Sequence, residues 1–357
     1  DGVVAIMGAD CSGVTGAILS NVAVPNGVPM ISPSATSPAL SNAEDNGLFF
    51  RTSPSDARQG EVLASILSER EISSVAVTYT NNDYGKGFAD SFAAAFEAEG
   101  GSITLSAPHE DGKGDYSAEI GALASAGGEV LVVLGYSDQG GKGMIQAALD
   151  TGAFDTFAMG DGMYSDALLA DLGDYMDGSF GSVPWAEGEG TEAFTALATE
   201  AGINAEGSYT RESYDAAALI ALAMMKGGEV SSAAVAANVL DVANAPGEPI
   251  LPGELGKAME ILAAGGDVDY VGATNVELVG EGEALGRLVA RRFAVPGVDL
   301  AQDVTLHRKD AVVVRGAAPE HGGRGHQASL GVAHDFPMAR AAGFVGDAKV
   351  AGVHEAN

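Results

Sequence analysis

The feature that most constrains this chain is the alternation of short apolar runs with helical stretches over its first 185 residues. Val3–Met7, Pro29–Ser32, Phe49–Thr52, Val75–Tyr79, Ile103–Ser106, Val130–Leu134 and Thr156–Met159 read as strands. Between them, 13–24, 56–69, 84–98, 116–126 and 138–150 read as helices, with Val62, Leu63, Ile66 and Leu67 on one face of the second and Phe88, Phe92 and Phe96 at i, i+4, i+8 in the third. Strands alternating with helices imply βαβ units and a parallel sheet. Near-continuous apolar strands are expected where helices cover both faces of the sheet. From 190 the pattern turns helical, with helices expected over 191–201, 209–226, 231–242 and 254–264, then a strand or hairpin over 268–279. No fixed-period repeat and no low-complexity linker divides the chain, which points to lobes joined by chain crossings.

The chain of 357 residues is long enough for two domains of ordinary size. Its net charge of −31 argues against nucleic acid, which needs Lys/Arg patches, and fits solubility in a salty or extracytoplasmic setting. A single cysteine, Cys11, excludes an internal disulfide and a cysteine metal cluster. It is either a buried small residue or half of a bridge whose partner lies elsewhere. The opening residues read as a core strand, so further N-terminal sequence is expected before them. No run of 18 apolar residues is present. Composition breaks late in the chain: residues 1–286 carry 9 basic and 42 acidic residues, whereas 287–357 carry 9 and 7, with five of the six histidines. Residues 287–357 are therefore expected to be an atypical basic tail, frameshifted or disordered, the other reading being a genuine flexible extension.

Several chemistries lack their residues. There is no G-x-G-x-x-G after a strand, no Walker A motif and no G-x-S-x-G elbow. Before residue 300 the only histidine is His109, so a Ser-His-Asp or zinc site is hard to build. No metal and no cofactor is expected. Paired carboxylates remain possible, but acids are too abundant here to be a specific signal.

A different set of residues follows the strand ends. After Met30-Ile31 come Ser32, Ser34, Thr36 and Ser37, punctuated by Pro33 and Pro38. Proline stiffens the loop, and its hydroxyls and free N–H groups suit a carboxylate; an ordinary Ser/Pro turn would use the same residues. Ser12 opens a helix, where it suits an anion or a plain N-cap. Tyr84, Tyr136 and Asp161 follow three other strands. Open α/β sheets bind ligands outside the carboxyl ends of their strands. Hydroxyls on one side, with an acid and aromatics on the other, fit a zwitterion.

The segments Gly8-Ala-Asp-Cys-Ser-Gly-Val-Thr15, Val28-Pro-Met-Ile-Ser-Pro-Ser-Ala-Thr36, Phe50-Arg-Thr-Ser-Pro-Ser-Asp-Ala-Arg-Gln-Gly60, Tyr84-Gly-Lys-Gly87 and Gly114-Asp-Tyr-Ser117 resemble, in order and spacing, type I periplasmic solute-binding proteins of the branched-chain amino acid (Leu/Ile/Val) group of ABC transporters. The resemblance covers about 1–286. It implies an α/β, two-lobed periplasmic-binding-protein type I fold, each lobe a mostly parallel sheet flanked by helices, with the N-terminal part of lobe 1 missing. It implies lobe 1 at 1–54 and 186–267, lobe 2 at 55–185 and 268–286, and three crossings between them. It implies a non-enzymatic receptor, monomeric, in the periplasm or anchored to the cell envelope, that carries an amino acid or amide to a membrane permease. A ligand-sensing domain of a receptor or regulator is the alternative, and a carboxylate-based enzyme a further one. By position the resemblance implies Ser12, Ser34 and Thr36 on the ligand carboxylate, Ala35 also among the ligand-binding residues, Tyr84, Tyr136 and Asp161 on the opposite wall, Asp56 near the first crossing, and Tyr214 against the ligand side chain. In some members a cysteine near Cys11 pairs with one in the region missing here.

Overall fold

The computed structural model describes residues 2–280, 282–284, 287–292, 311–313 and 331–333. In chain order the strands and helices are β1 (Ile6–Met7), α1 (Ser12–Ile18), α2 (Val24–Asn26), β2 (Met30–Ser32), β3 (Phe49–Arg51), α3 (Asp56–Glu69), β4 (Ser74–Thr80), α4 (Asp83–Ala98), β5 (Ser102–His109), α5 (Ser117–Ala126), β6 (Val130–Leu134), α6 (Gly140–Thr151) and β7 (Phe157–Met159). Then come α7 (Asp166–Leu172), β8 (Phe180–Trp185), α8 (Glu189–Glu200), α9 (Thr210–Gly227), α10 (Ser232–Ala243), β9 (Glu248–Ile250), α11 (Leu255–Ala263), β10 (Val268–Tyr270), β11 (Leu278–Val279), β12 (Glu283–Ala284), β13 (Arg287–Arg292), β14 (Ala311–Val313) and β15 (Gly331–Ala333). A π-helical turn, Leu19–Ala23, joins α1 to α2.

Two sheets organise the part of the chain up to 303. The first has three strands in parallel, ordered β1-β2-β3. The second has six, ordered β13-β8-β7-β6-β4-β5, parallel except for β13, which runs antiparallel to β8. All five residues of β6 are buried, as its unbroken Val/Leu run requires of a strand covered on both faces. Each lobe has its own core. Ile31 and Phe50 pack with Leu219, Leu222, Val235, Val239, Ile250 and Tyr270. Ile120, Leu123, Leu131, Val133, Ile145 and Phe157 form the second. The two-lobed α/β expectation is therefore met.

The expected second-lobe assignment of 268–286 differs from what is seen. β10 pairs in parallel with β9, and Val268, Tyr270, Val276 and Leu278 belong to the first-lobe core. β9 has one buried apolar residue in Glu248-Pro-Ile250, too little for a periodicity signal, so its partner was read on the wrong lobe. The chain leaves the first sheet after Arg51, passes from the second sheet to the helices of the first-lobe core after Trp185, and enters the second sheet again at Arg287. Arg287–Arg292, at the head of the segment read as an atypical tail, is thus a six-residue edge strand on β8. Further on, β14 and β15 pair antiparallel. The frameshift or disorder expected for the remainder of 287–357 lies outside the described residues.

Candidate functional site

The hydroxyl loop after β2 is held from within. Ser32 Oγ donates to the Ala9 carbonyl at 2.6 Å and accepts the N–H groups of Ser34 and Ala35 at 3.3 and 3.0 Å. Ser37 accepts from Ala39 N–H and caps a short 3-10 turn. Beneath the loop sits Arg51, with no exposed surface. Its guanidinium donates to the carbonyls of Ala35 and Ser37, both at 3.0 Å, to Ser41 Oγ and to Glu283. A planar five-donor fork suits several acceptors at once, and this buried cation is fully partnered.

Those bonds decide which of the expected loop contacts have free groups. Ser12 Oγ, buried, accepts the Ser37 N–H at 3.1 Å. Ser34 Oγ donates to Asp10 Oδ1 at 2.8 Å. Ala35 uses its N–H on Ser32 and its carbonyl on Arg51. Thr36 differs: the residue is 1 % exposed, and its hydroxyl lies near Asp56 without meeting a partner in hydrogen-bonding geometry.

The opposite wall comes from the second sheet. Asn82 caps α4 by accepting from Gly85 N–H at 3.0 Å. A Cβ on Gly85 would stand 2.2 Å from the Thr80 carbonyl, so only glycine lets α4 turn this sharply off β4 and bring Tyr84 to the site. Tyr84 donates to Asp161 Oδ1 at 3.3 Å, stacks on Tyr136 with ring centroids 5.1 Å apart, and accepts Gly162 N–H. Asp161, 4 % exposed, begins the 3-10 turn after β7. It also accepts from the Tyr209 hydroxyl. Tyr209 lies just before α9 in the left-handed region, φ +58°, where a bulky side chain is strained. Burial pushes the Asp161 carboxyl up, while Tyr209, Gln59 and Tyr84 pull it down by hydrogen bonding. Burial and the Asp161 charge push the Tyr84 and Tyr209 hydroxyls well up, so both remain donors.

Asp56, first residue of α3, is fully buried, and neither carboxylate oxygen meets a donor in hydrogen-bonding geometry. Burial foremost, and Asp161 next, hold its carboxyl well above the usual range; the Thr36 hydroxyl and Arg51 oppose them. Tyr214 is placed apart from this group. Its ring packs on Phe194 at 5.3 Å and its hydroxyl accepts Gly253 N–H at 3.1 Å. Tyr209, five residues earlier, is the tyrosine on Asp161, and the sequence reading missed it. The signal available was weak: an aromatic in the loop Gly207-Ser-Tyr-Thr210 ahead of a helix.

The two walls meet. A Cβ on Gly87 of α4 would lie 3.0 Å from Pro38 and 3.1 Å from Ser37 Oγ, so this helix rests on the hydroxyl loop. Beside Asp161 a cavity of about 30 Å³ is lined by Trp185, Tyr209, Arg211 and Glu212. That volume suits a water, not an amino acid. Arg211 pairs with Glu206 and lies over the Trp185 ring at 5.5 Å. Burial pushes Glu212 up to about 7. Cys11 carries a free, partly buried thiol, raised by burial. Among the described residues no cluster of His, Cys, Asp or Glu could hold a metal ion, and no single helix is long and apolar enough to cross a membrane.

Two α/β lobes linked by repeated crossings, with an acid-and-tyrosine wall opposite a hydroxyl loop, have the architecture of a solute-binding protein. The family model for periplasmic binding proteins matches residues 1–256, and the chain belongs to that family. Its fold and its relatives are those of solute-binding proteins, not enzymes. The chain is 28 % identical over 313 residues to the chemotactic signal transduction system substrate-binding protein BasB of Halobacterium salinarum, spanning 83 % of this chain and 71 % of that one. It is 32 % identical to the Leu/Ile/Val-binding protein homolog 1 of Brucella abortus over 64 % of this chain and 61 % of the relative, less than two thirds of its length. A leucine-binding protein, LivK, from Thermotoga maritima shares the fold with a TM-score of 0.65 at 19 % identity, covering 80 % of this chain and 75 % of the other.

Proposed function

We propose that this protein is an extracytoplasmic receptor that captures an amino acid between its lobes and delivers it to the permease of an ABC transporter. The observation that carries this reading is the buried Asp161, ringed by the Tyr84 and Tyr209 hydroxyls, across from the unpartnered Thr36 hydroxyl. Asp161 takes the ammonium, Thr36 takes the carboxylate, and Tyr84 and Tyr136 cover the side chain. The Leu/Ile/Val-binding name of the Brucella relative supports an amino acid as ligand. Because the cavity holds little more than a water, the lobes part to admit ligand and close on it. Contacts made to both lobes only when shut shift that equilibrium toward the closed form, which the permease reads. Periplasmic or envelope-anchored location follows from this role.

A thermal-shift screen of an amino-acid panel tests the reading. A ligand at a hundred times its Kd stabilises by about 2.7 kcal/mol and raises Tm. A panel in which no amino acid raises Tm would overturn it. The name of the Halobacterium relative supports a second reading, the same capture serving a chemotaxis receptor. Co-purification of the liganded protein with a transducer instead of a permease would favour it.

A further inference from the structure

The site buries three carboxyl groups, Asp56, Asp161 and Glu212. Asp56 has both carboxylate oxygens without a donor at 0 % exposure. One turn along α3, Gln59 is also fully buried; its Nε2 donates to the Ser182 carbonyl at 2.9 Å, and its Oε1 meets no donor. Ser53 Oγ is buried without a partner as well. These atoms adjoin the wall already described: the Asp56 N–H donates to the Thr36 carbonyl at 2.8 Å, and Gln59 reaches Asp161. The two guanidinium groups nearby are already matched, Arg51 by Glu283 and Arg211 by Glu206. Asp161, Asp56 and Glu212 share no remaining cation. Arg51 and the start of α3 favour the charged form of Asp56, but Arg51 is ion-paired to Glu283. A buried carboxyl whose oxygens meet no donor in hydrogen-bonding geometry is costly as the anion, so the arrangement suits a ligand that brings N–H donors and positive charge.

We infer that the captured ligand is an amino acid with a cationic side chain, its α-ammonium on Asp161 and its terminal ammonium or guanidinium on Asp56 and Gln59 Oε1. The inference rests on the amino-acid reading above and deepens it. A leucine side chain would leave Asp56 and Gln59 as they are, whereas an ammonium supplies three donors and a guanidinium five. The stacked Tyr84 and Tyr136 rings add favourable faces for such a cation. The groups facing Asp56 are Asp161, Tyr84, Tyr209, Thr36 and Arg51. Without ligand, burial and Asp161 favour the protonated acid; a bound cation favours the carboxylate, so binding releases a proton and strengthens as pH rises.

Calorimetric titration of the protein with leucine, lysine, arginine and the diamine cadaverine tests this. Lysine or arginine is expected to bind at least about tenfold tighter than leucine, with a heat that depends on buffer ionisation, and Asp56→Asn is expected to bring the ratio to within about threefold. The wild-type panel decides the matter even if the variant folds poorly. Leucine equal to or tighter than both basic amino acids overturns the inference and leaves the amino-acid reading standing, as does an unchanged ratio in a folded Asp56→Asn protein. Cadaverine binding without any amino acid overturns both, whereas no binding by any of the four overturns this inference and leaves the amino-acid reading to the full thermal-shift panel.

Discussion

The two walls of the cleft use similar residues in opposite ways. On the first-lobe wall almost every polar group is already engaged: Ser12 holds Ser37, Ser34 holds Asp10, Ala35 is tied at both ends, and Arg51 binds the loop from below. On the second-lobe wall Asp161 accepts from two tyrosine hydroxyls, and at the start of α3 beside it Asp56 meets no donor in hydrogen-bonding geometry. The first wall is bonded within itself. The second keeps carboxyl oxygens free. A residue's type shows which chemistry it could do; only its existing partners show whether it is free to do it.

The largest effect is expected at Arg51. Arg51→Ala leaves Glu283 and two loop carbonyls without their cation, and removing one partner of a buried pair costs about 3–5 kcal/mol. Urea denaturation is expected to show a loss of that size; a loss below about 1 kcal/mol would mean the first wall is not organised from below. Next in size is Tyr209→Phe, which takes a hydroxyl from Asp161. It is expected to weaken amino-acid binding by about 1 kcal/mol, roughly fivefold, in a calorimetric titration.

The acids of the second wall and of α9 predict a pH effect. Glu212 is raised from 4.5 to about 7 and Asp215 from 3.8 to about 6, in both cases by burial foremost. A carboxyl raised in the folded state favours folding below its unfolded value and loses that contribution as pH rises through the folded value. Between about pH 4 and 7 the unliganded protein is therefore expected to become more stable on acidification, by a few degrees in Tm. Glu212→Gln is expected to flatten that slope between pH 5 and 7.5; an unaltered slope would show that Glu212 does not contribute. The smallest effect sharpens the site boundary. Tyr214 packs on Phe194, away from Asp161, so Tyr214→Phe is expected to leave amino-acid affinity within about twofold, its lost hydroxyl bond to Gly253 appearing only in stability.

Much of the scaffold was legible because its signals are local. The unbroken Val130–Leu134 run and the apolar face of Asp56–Glu69 identify their elements from sequence alone. β8 was missed because Phe-Gly-Ser-Val-Pro-Trp breaks its own pattern with Gly, Ser and Pro. α7 was missed although Leu168, Leu169 and Leu172 have helical spacing, because the segment is only seven residues long. Tyr84, Tyr136 and Asp161, each placed after a strand by the sequence, are brought together by the fold. Tyr209 was not, since it reaches Asp161 from a first-lobe loop 48 residues away. The occupancy of Ser12 and Ser34 was also hidden. Their partners, Ser37 and Asp10, lie about 25 residues off, on neighbouring strand-end loops that only the fold brings together.

The account turns on Asp161 as the anchor for the ligand's ammonium, and one measurement addresses that directly: calorimetric titration of wild type and Asp161→Ala with whichever amino acid raises Tm most. The variant is expected to lose about 2 kcal/mol or more of affinity, roughly thirtyfold, because a buried ammonium is left without its acid. Equal affinity in a variant that retains its fold would contradict the account, since the ammonium would then be held elsewhere.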